Sequence, residues 1–191
     1  MNRAVFLDRD GTLNVERHYV CRWEAFSWIP GAPEAIRQLN EAGFRVIVVT
    51  NQAAVARGRC TEQDVLRLHE RMQQELAAHG AWIDAFYYCP FHPEGIVSAY
   101  RRSSSWRKPQ TGMFERAIRD WCLDPRACFV VGDRNSDLLP GRALGMTTLL
   151  VRTGYGAQEA EHTIADYVVS DITEAVERIL TACVTSSSRI G

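Results

Sequence analysis

Short apolar runs alternate with segments of helical spacing along this chain, and no other feature restricts its fold as much. Ala4–Leu7 and Phe44–Val49 are two such runs, and between them Ala35, Ile36 and Leu39 recur at the spacing of one helix face. Strand, helix and strand repeated in this order predict a parallel sheet with helices on both of its faces. The fold class is therefore α/β, with a Rossmann-like sheet.

The same pattern can be followed to the end of the chain. The predicted strands are Ala4–Leu7, Phe44–Val49, Ile83–Tyr88, Cys128–Val131, Thr147–Val151 and Tyr167–Val169. The predicted helices are Pro33–Ala42, Thr61–His79, Gly112–Cys122, Asp137–Leu144 and Ile172–Leu180. A chain of 191 residues has the size of one domain. We predict a single domain over 1–184, an irregular loop over 89–109 and a frayed tail over 185–191.

The charge balance excludes several classes of function. Lysine and arginine number 22 against 23 aspartates and glutamates, which gives a formal net charge of −1. We expect no nucleic-acid partner and no binding to an anionic membrane surface. No apolar run reaches the ~18–20 residues that span a bilayer. The cysteines are scattered without a C-x-x-C pair, and the sequence shows no signal-peptide pattern. We therefore expect a cytoplasmic protein with reduced thiols.

Polar residues directly follow three of the predicted strands. These are Asp8, Thr50 and Asp133, each of which alone could be a helix cap or a turn residue. Ligands of open parallel sheets bind beyond the carboxyl ends of the strands, so three such residues predict a ligand site. Asp10 lies two residues after Asp8, and side chains at this spacing in an extended segment point the same way. Mg²⁺ suits the pair, because it takes carboxylate oxygens and keeps positions open for phosphate.

Several competing site motifs are absent. The chain has neither G-x-x-x-x-G-K-[ST] nor G-x-G-x-x-G, so transfer of phosphate from a nucleotide is not supported. It also lacks G-x-S-x-G and H-E-x-x-H, which argues against serine hydrolases and zinc peptidases. The carboxylates at the strand ends therefore remain the main signal of function.

With these residues in place, the chain resembles the haloacid dehalogenase superfamily of phosphatases over nearly its whole length. The four motifs of that superfamily occur in order, each where the predicted sheet requires it. They are Asp8-x-Asp10-Gly11-Thr12, Thr50-Asn51-Gln52, Arg107-Lys108-Pro109 and Gly132-Asp133-Arg134-x-x-Asp137. One such motif alone is weak evidence, whereas four in order are specific.

The resemblance implies a role for each catalytic residue. Asp8 is the expected nucleophile, which forms an aspartyl-phosphate. Asp10 is the expected general acid for the leaving oxygen and then the base that activates water. Thr50 and Lys108 are expected to neutralise the phosphoryl oxygens as charge moves in the transition state.

The resemblance also implies a bound Mg²⁺. Its expected ligands are Asp8, the main-chain carbonyl of Asp10, and Asp133. Asp137 is left outside this set, because an acidic residue at a helix N-terminus or a hydrogen-bond partner behind the site explains it equally well.

Within the superfamily, the chain looks most like the phosphatases that remove the C7 phosphate of D-glycero-D-manno-heptose 1,7-bisphosphate. Those enzymes supply ADP- or GDP-heptose for lipopolysaccharide or surface glycans, and they have no large cap domain. The segments that carry this resemblance include Leu13-Asn14-Val15, His18-Tyr19-Val20, Ala56-Arg57-Gly58, Tyr87-Tyr88-Cys89-Pro90 and Val151-Arg152-Thr153-Gly154. The runner-up is a histidinol-phosphate phosphatase. A non-catalytic phosphosugar-binding protein and a DNA 3′-phosphatase are further alternatives, and the net charge disfavours the last.

A sugar bisphosphate requires a second cationic group besides Lys108. Arg107 is the candidate, because a guanidinium can bind a phosphate through two hydrogen bonds. The expected substrate-binding residues are Arg9, Glu16, His18, Tyr19, Asn51, Gln52, Arg57, Arg107 and Arg134. Arg101 and Arg102 are interpreted as solvated charges. We expect a small-molecule sugar bisphosphate as the partner and a monomeric protein.

The irregular loop departs from the pattern of these relatives. Many of them hold a structural zinc there through Cys-x-His and Cys-x-Cys. Cys89 is present here, but Phe91, Ser104 and Trp106 stand at the other three expected ligand positions. Cys89 and His92 together fall short of the four ligands of a closed zinc site. We therefore predict that zinc is absent and that aromatic packing holds the loop. The candidates for this packing are Phe91, Tyr100 and Trp106.

Overall fold

Strands and helices alternate within residues 2–187, the part of the chain that the computed structural model describes. The strands are β1 (Ala4–Leu7), β2 (Arg45–Asn51), β3 (Ala85–Cys89), β4 (Phe129–Gly132), β5 (Thr147–Val151) and β6 (Tyr167–Val169). The helices are α1 (Ala32–Glu41), α2 (Glu62–Ala78), α3 (Gly112–Trp121), α4 (Asn135–Ala143), α5 (Gly156–Glu159) and α6 (Ile172–Ser187). The predicted strands and helices are confirmed, and α5 is an addition that the sequence pattern did not indicate.

The strands pair in parallel in the spatial order β3-β2-β1-β4-β5-β6. The chain moves outward from β1 to β3 and then returns to place β4 on the other side of β1. Ligand sites of doubly wound sheets lie at such a reversal, beyond the carboxyl ends of the strands. Asp8 directly follows β1 and Asp133 directly follows β4, so both carboxylates lie at this point. The described residues contain no large cap domain above it.

Each face of the sheet has its own apolar core. In β1, Val5 and Leu7 contribute to one core, and Ala4 and Phe6 contribute to the other. Helices α1, α2 and α6 cover the first face, while α3 and α4 cover the second. Phe6 packs on Phe114 of α3 with ring centroids 5.0 Å apart. A strand buried on both faces has few polar residues, which explains the continuous apolar runs in the sequence.

The third strand begins later than predicted, at Ala85 rather than Ile83. Asp84 explains the shift. Its carboxylate accepts a hydrogen bond from the main-chain nitrogen of Val46 at 2.8 Å. A side chain thus takes the place of a main-chain acceptor there, and the regular ladder starts at Ala85, directly after Asp84.

The last helix is longer than predicted. Helix α6 runs to Ser187, past the predicted end at Leu180 and into the segment expected to fray from residue 185. The remainder of that segment, 188–191, lies outside the described residues. None of the described helices is both long enough and apolar enough to cross a membrane.

Helix α2 buries a histidine beside the first motif. Thr61 and Asp64 cap this helix reciprocally, since each side chain accepts a hydrogen bond from the other's main-chain nitrogen. His69 stacks on Phe86 of β3 with ring centroids 4.3 Å apart. Its Nε2 lies 3.3 Å from an Arg9 guanidinium nitrogen and acts as the acceptor there, because arginine only donates. Burial, assisted by the Arg9 charge, lowers the pKa of His69 to about 3, so the ring stays neutral.

We expect His69→Gln to remove a pH-dependent part of the stability. In the unfolded chain His69 titrates near its ordinary pKa of 6.5, whereas in the fold it resists protonation. The stability contributed by the neutral ring is therefore complete above that pKa and is lost as the pH falls towards 3. The unfolding free energy of the wild type should fall relative to His69→Gln by about 2 kcal/mol between pH ~7.5 and ~5. Denaturant unfolding of both proteins measures this, and parallel pH curves would contradict it.

Candidate active site

A buried lysine joins carboxylates from separate parts of the fold. The Nζ atom of Lys108 donates hydrogen bonds to Asp8 Oδ1 at 2.6 Å and to the main-chain oxygen of Val49 at 2.8 Å. It also forms an ion pair with Asp137 Oδ1 at 2.8 Å. These three charged side chains are buried. The cluster thus connects the end of β1, β2, the loop before α3, and α4.

The carboxylates at this point outnumber the cation. Asp8, Asp133 and Asp137 each offer a carboxylate oxygen, and these oxygens lie within 4.8 Å of one another. Burial raises the pKa of Asp8 to about 7, against the opposing effect of Lys108. Burial and the neighbouring Asp8 charge raise the pKa of Asp133 to about 8. Such an all-oxygen, electron-rich donor set fits a hard divalent cation such as Mg²⁺, which would remove this repulsion.

Two glycines allow the backbone to close around Asp133. Gly11 has φ +89°, and a Cβ atom built on it would lie 2.2 Å from Asp133 Oδ2. A Cβ on Gly154 would lie 2.1 Å from the same oxygen. The main-chain nitrogen of Tyr155 donates to this oxygen at 2.8 Å. A larger residue at either glycine would therefore displace the carboxylate.

Asp10 is held by three neighbouring side chains rather than by the carboxylate cluster. Its oxygens accept hydrogen bonds from Arg9 at 2.8 and 3.0 Å. They also accept from Asn14 Nδ2 at 3.1 Å and from Gln52 Nε2 at 3.0 Å. Asp10 also lines a cavity at this edge of the sheet, and these hydrogen bonds fix the orientation of the carboxyl group. This arrangement suits an acid–base group, whose proton must be aimed at one atom.

The structure places Arg9 behind Asp10 rather than in contact with a ligand. Its side chain has no solvent exposure, and it is absent from the cavity lining. Besides Asp10, it donates to the main-chain oxygen of Val20 at 2.6 Å and contacts His69. The expected substrate contact of Arg9 therefore gives way to a positioning role.

The side-chain amide groups of Asn51 and Gln52 form hydrogen bonds with other residues of the protein. Asn51 Nδ2 donates to the main-chain oxygen of Lys108 at 3.0 Å, and its Oδ1 accepts from the main-chain nitrogen of Lys108 at 3.0 Å. Gln52 Nε2 bridges Asp10 and the hydroxyl of Thr50, which lies 2.9 Å from it. Both side chains line the cavity, but their bonds fix Lys108, Asp10 and Thr50 in place.

A cavity of about 400 Å³ opens above this cluster. Asp8, Asp10, Thr50, Lys108 and Asp133 form part of its lining, so the structure brings the predicted catalytic and metal-binding residues together. The predicted substrate-binding residues that also line it are Glu16, His18, Tyr19, Asn51, Gln52, Arg57, Arg107 and Arg134. Most of the exposed lining is polar, as a phosphorylated sugar requires.

Two arginines lie on the cavity wall. Arg107 is half-buried, and it donates to the main-chain oxygen of Phe91 at 3.5 Å. Burial lowers its pKa from the ordinary value, which reflects the cost of holding this charge away from water. Arg57 lies 3.6 Å from Glu94 and 3.5 Å from His92. The wall thus offers two guanidinium groups to an anion.

The irregular loop is held by hydrogen bonds and ring contacts. Glu62 at the start of α2 accepts hydrogen bonds from the hydroxyls of Tyr88 and Tyr100, both at 2.8 Å. The Arg102 guanidinium lies 3.8 Å from the ring centre of Phe91. The ring centres of Phe91 and Tyr100 are 6.0 Å apart. Arg102 is exposed, as expected for a solvated charge, and its guanidinium also packs on the Phe91 ring.

Two residues of this site, Asp137 and Tyr155, and one that supports its loop, Glu62, are not among the residues predicted from the sequence. Asp137 was left out, although it pairs with Lys108 and its other oxygen accepts from the main-chain nitrogen of Arg134 at 3.0 Å. Its fixed spacing after Asp133 was the available signal. Tyr155 lines the cavity and contacts both His18 and the Arg134 guanidinium, whose centre lies 3.6 Å from its ring. Glu62, which anchors the irregular loop, has no signal in the sequence beyond its place after a helix cap.

Comparisons with known proteins agree with this geometry. A family model of haloacid dehalogenase-like hydrolases matches residues 5–80, and a second, HAD-hydrolase-like model matches residues 105–175. The D-glycero-beta-D-manno-heptose-1,7-bisphosphate 7-phosphatase of Pasteurella multocida is 41% identical over 175 residues, which cover 91% of this chain and 95% of that protein. The enzyme of the same name from Haemophilus influenzae is 41% identical over 181 residues, which cover 94% and 97%.

Solved structures give the same result. The D,D-heptose 1,7-bisphosphate phosphatase of B. bronchiseptica, complexed with magnesium and phosphate, superposes with a TM-score of 0.86 at 28% identity, over 95% of this chain and 99% of that one. The corresponding Burkholderia thailandensis phosphatase has a TM-score of 0.70 at 31% identity, over 93% and 98%. The predicted resemblance is therefore confirmed. With these relatives spanning nearly its whole length and the four motifs meeting at one cavity, the chain belongs to the haloacid dehalogenase-like hydrolases and is a phosphatase.

Proposed function

We propose that this enzyme removes the C7 phosphate of D-glycero-D-manno-heptose 1,7-bisphosphate, as a step towards ADP- or GDP-heptose for lipopolysaccharide or surface glycans. One observation carries the proposal: the cavity has a reactive floor at Asp8 and Lys108 and a separate cationic wall at Arg57 and Arg107. A substrate with two phosphates matches both parts. The names of the similar enzymes point to the same substrate.

Asp8 performs the first chemical step. One of its carboxylate oxygens attacks the phosphorus of the C7 phosphate, the bond from phosphorus to the C7 oxygen breaks, and an aspartyl-phosphate forms. Lys108 donates a hydrogen bond to the other Asp8 oxygen and offers its positive charge to the phosphoryl oxygens. Thr50 lines the same cavity and offers its hydroxyl group to them. Both groups are buried, so their charge and dipole act with little screening by water.

Asp10 supplies the proton that the leaving sugar needs. It protonates the C7 oxygen as the bond to phosphorus breaks, and the resulting carboxylate then takes a proton from water. That water attacks the phosphorus of the aspartyl-phosphate, breaks its bond to Asp8, and releases inorganic phosphate. Arg9, Asn14 and Gln52 keep the Asp10 carboxyl group in one orientation during both steps.

Asp8, the main-chain carbonyl of Asp10, and Asp133 are the proposed holders of Mg²⁺. When bound, the cation neutralises the phosphate and brings it to the nucleophile. Asp137 forms a second ion pair with Lys108. The buried ammonium group is therefore balanced by two carboxylates, Asp8 and Asp137.

The cavity wall would hold the sugar and the C1 phosphate. We assign this role to Glu16, His18, Tyr19, Arg57, Arg107 and Arg134. We further propose that the enzyme is a monomer. We also propose that it works in the cytoplasm, because a doubly phosphorylated sugar stays in the compartment that makes it. We also infer that the irregular loop needs no zinc, since Glu62 and the Phe91–Arg102 contact support it.

Substrate preference tests this proposal. We expect kcat/KM to be at least about a hundredfold higher for heptose 1,7-bisphosphate, tried as both anomers, than for histidinol phosphate, a difference of roughly 2.7 kcal/mol in transition-state binding. Phosphate release in the presence of Mg²⁺ measures both. A preference for histidinol phosphate would overturn the substrate assignment while leaving the catalytic residues in place.

The Arg107→Ala variant separates the two phosphate sites in the same assay. It should lower kcat/KM for the bisphosphate by at least about tenfold and change that for a heptose 7-monophosphate far less. Arg101→Ala, at an exposed position of the same loop, is the matched control and should have little effect.

Asp8→Asn tests the nucleophile. An amide oxygen attacks phosphorus poorly, so kcat should fall by at least about 10³-fold. The variant should remain folded, because Lys108 keeps its ion pair with Asp137 and a buried carboxylate with a raised pKa is replaced by a neutral group. Near-wild-type turnover in a protein whose mass confirms the change would refute the role of Asp8. Asp120→Asn, an exposed change on α3, serves as the control.

Elemental analysis tests the absence of zinc. Protein purified without chelators should contain less than about 0.1 zinc per chain, because the loop lacks the four ligands of a structural site. Stoichiometric zinc that resists dialysis would contradict this prediction.

A further inference from the structure

Two cysteines that the catalytic site does not use are in direct contact. The thiol of Cys60 donates to Cys21 Sγ, and the two sulfur atoms are 2.6 Å apart. Both are free cysteines, and they are 39 positions apart in the sequence. Sulfur atoms this close need only a small movement to reach bonding distance.

Each cysteine stands at the end of a segment that forms one wall of the cavity. The segment that ends at Cys21 carries His18 and Tyr19 to the cavity, and the segment that ends at Cys60 carries Arg57. The Arg59 guanidinium lies 5.7 Å from the ring centre of Tyr19 and is a second contact between the two segments. Neither cysteine lines the cavity itself.

The surroundings favour Cys21 as the thiolate of this pair. The pKa of the Cys60 thiol is raised, because its hydrogen bond to Cys21 and its partial burial both favour the protonated form. The pKa of the Cys21 thiol is lowered, because Cys60 donates a hydrogen bond to its sulfur and, in opposition to burial, the Arg9 guanidinium adds a positive charge nearby. Cys21 is buried, whereas Cys60 is partly exposed, so a small reagent can reach the pair from the side of Cys60.

We propose that Cys21 and Cys60 are a disulfide-forming pair that locks the two walls of the substrate cavity together. The oxidant is a small-molecule disulfide such as oxidised glutathione. A thiolate of the pair attacks one of its sulfurs, breaks that S–S bond, and expels one glutathione thiolate. The second cysteine, as thiolate, then attacks the mixed disulfide and expels the second glutathione. Two protons leave the protein thiols, the pair is oxidised, and one glutathione disulfide is reduced to two thiols.

The oxidised enzyme keeps its activity. The bond lies outside the cavity, and the catalytic side chains come from the ends of β1, β2 and β4 and from the Lys108 loop. The cross-link restricts the unfolded chain far more than the folded one, so it stabilises the fold.

Oxidation of the purified full-length enzyme with oxidised glutathione tests the proposal. After the remaining thiols are alkylated, intact mass should show two fewer alkylated cysteines than in the reduced protein. Peptide mapping should find Cys21 joined to Cys60. Tm should rise by roughly 5–10 °C and return on reduction with dithiothreitol. The rate of p-nitrophenyl phosphate hydrolysis, which does not depend on the natural substrate, should change by less than about twofold.

Single substitutions provide the controls. Cys21→Ser and Cys60→Ser should each abolish the rise in Tm, and the remaining cysteine should at most carry glutathione. Cys122→Ser, which removes an exposed cysteine directly after α3, should keep the cross-link and the rise. The proposal fails if the wild type retains all its thiols, stops at a glutathione adduct, links a different pair, or forms the Cys21–Cys60 bond without a change in Tm. None of these outcomes bears on which sugar phosphate the enzyme hydrolyses.

Discussion

The geometry of the site depends on one buried ammonium group. Lys108 contacts Asp8, Asp137 and the carbonyl of Val49, and so joins four parts of the chain that are far apart in sequence. Buried charges are stable only when they are paired, and loss of one partner leaves the other uncompensated, at a cost of about 3–5 kcal/mol. The same ion pairs that hold the fold at this edge therefore also hold Asp8, the proposed nucleophile, beside Lys108, the proposed partner of the phosphoryl oxygens.

A second network surrounds Asp10, the proposed acid–base residue, and is separate from the first. Asp10 is turned towards Arg9, Asn14 and Gln52, while Asp8 is turned towards Lys108. Two carboxylates that lie two residues apart thus have different surroundings, and different surroundings allow them different chemical roles. Arg9 is the cause of this separation, because its buried guanidinium needs a carboxylate and Asp10 is the one it contacts.

The irregular loop has its own set of contacts that order this wall of the cavity. Three of four expected zinc ligands are replaced, and one replacement, Phe91, packs under the Arg102 guanidinium. Glu62 joins Tyr88 in β3 and Tyr100 in the loop through one carboxylate. These contacts bring the loop against α2 and β3, which are rigid elements, and so support Arg107 at the cavity wall.

The order of the strands and helices can be predicted from the sequence, because hydrophobic periodicity is a local property that each segment displays alone. The sequence also located Asp8 and Asp133 at one edge, because parallel strands all end on the same side of a sheet. The folded chain was needed to see that Asp137 faces Lys108, that Arg9 lies behind the site, and that Glu62 anchors a loop. Those contacts join residues distant in the chain, and they depend on loop paths and side-chain directions that no local pattern contains.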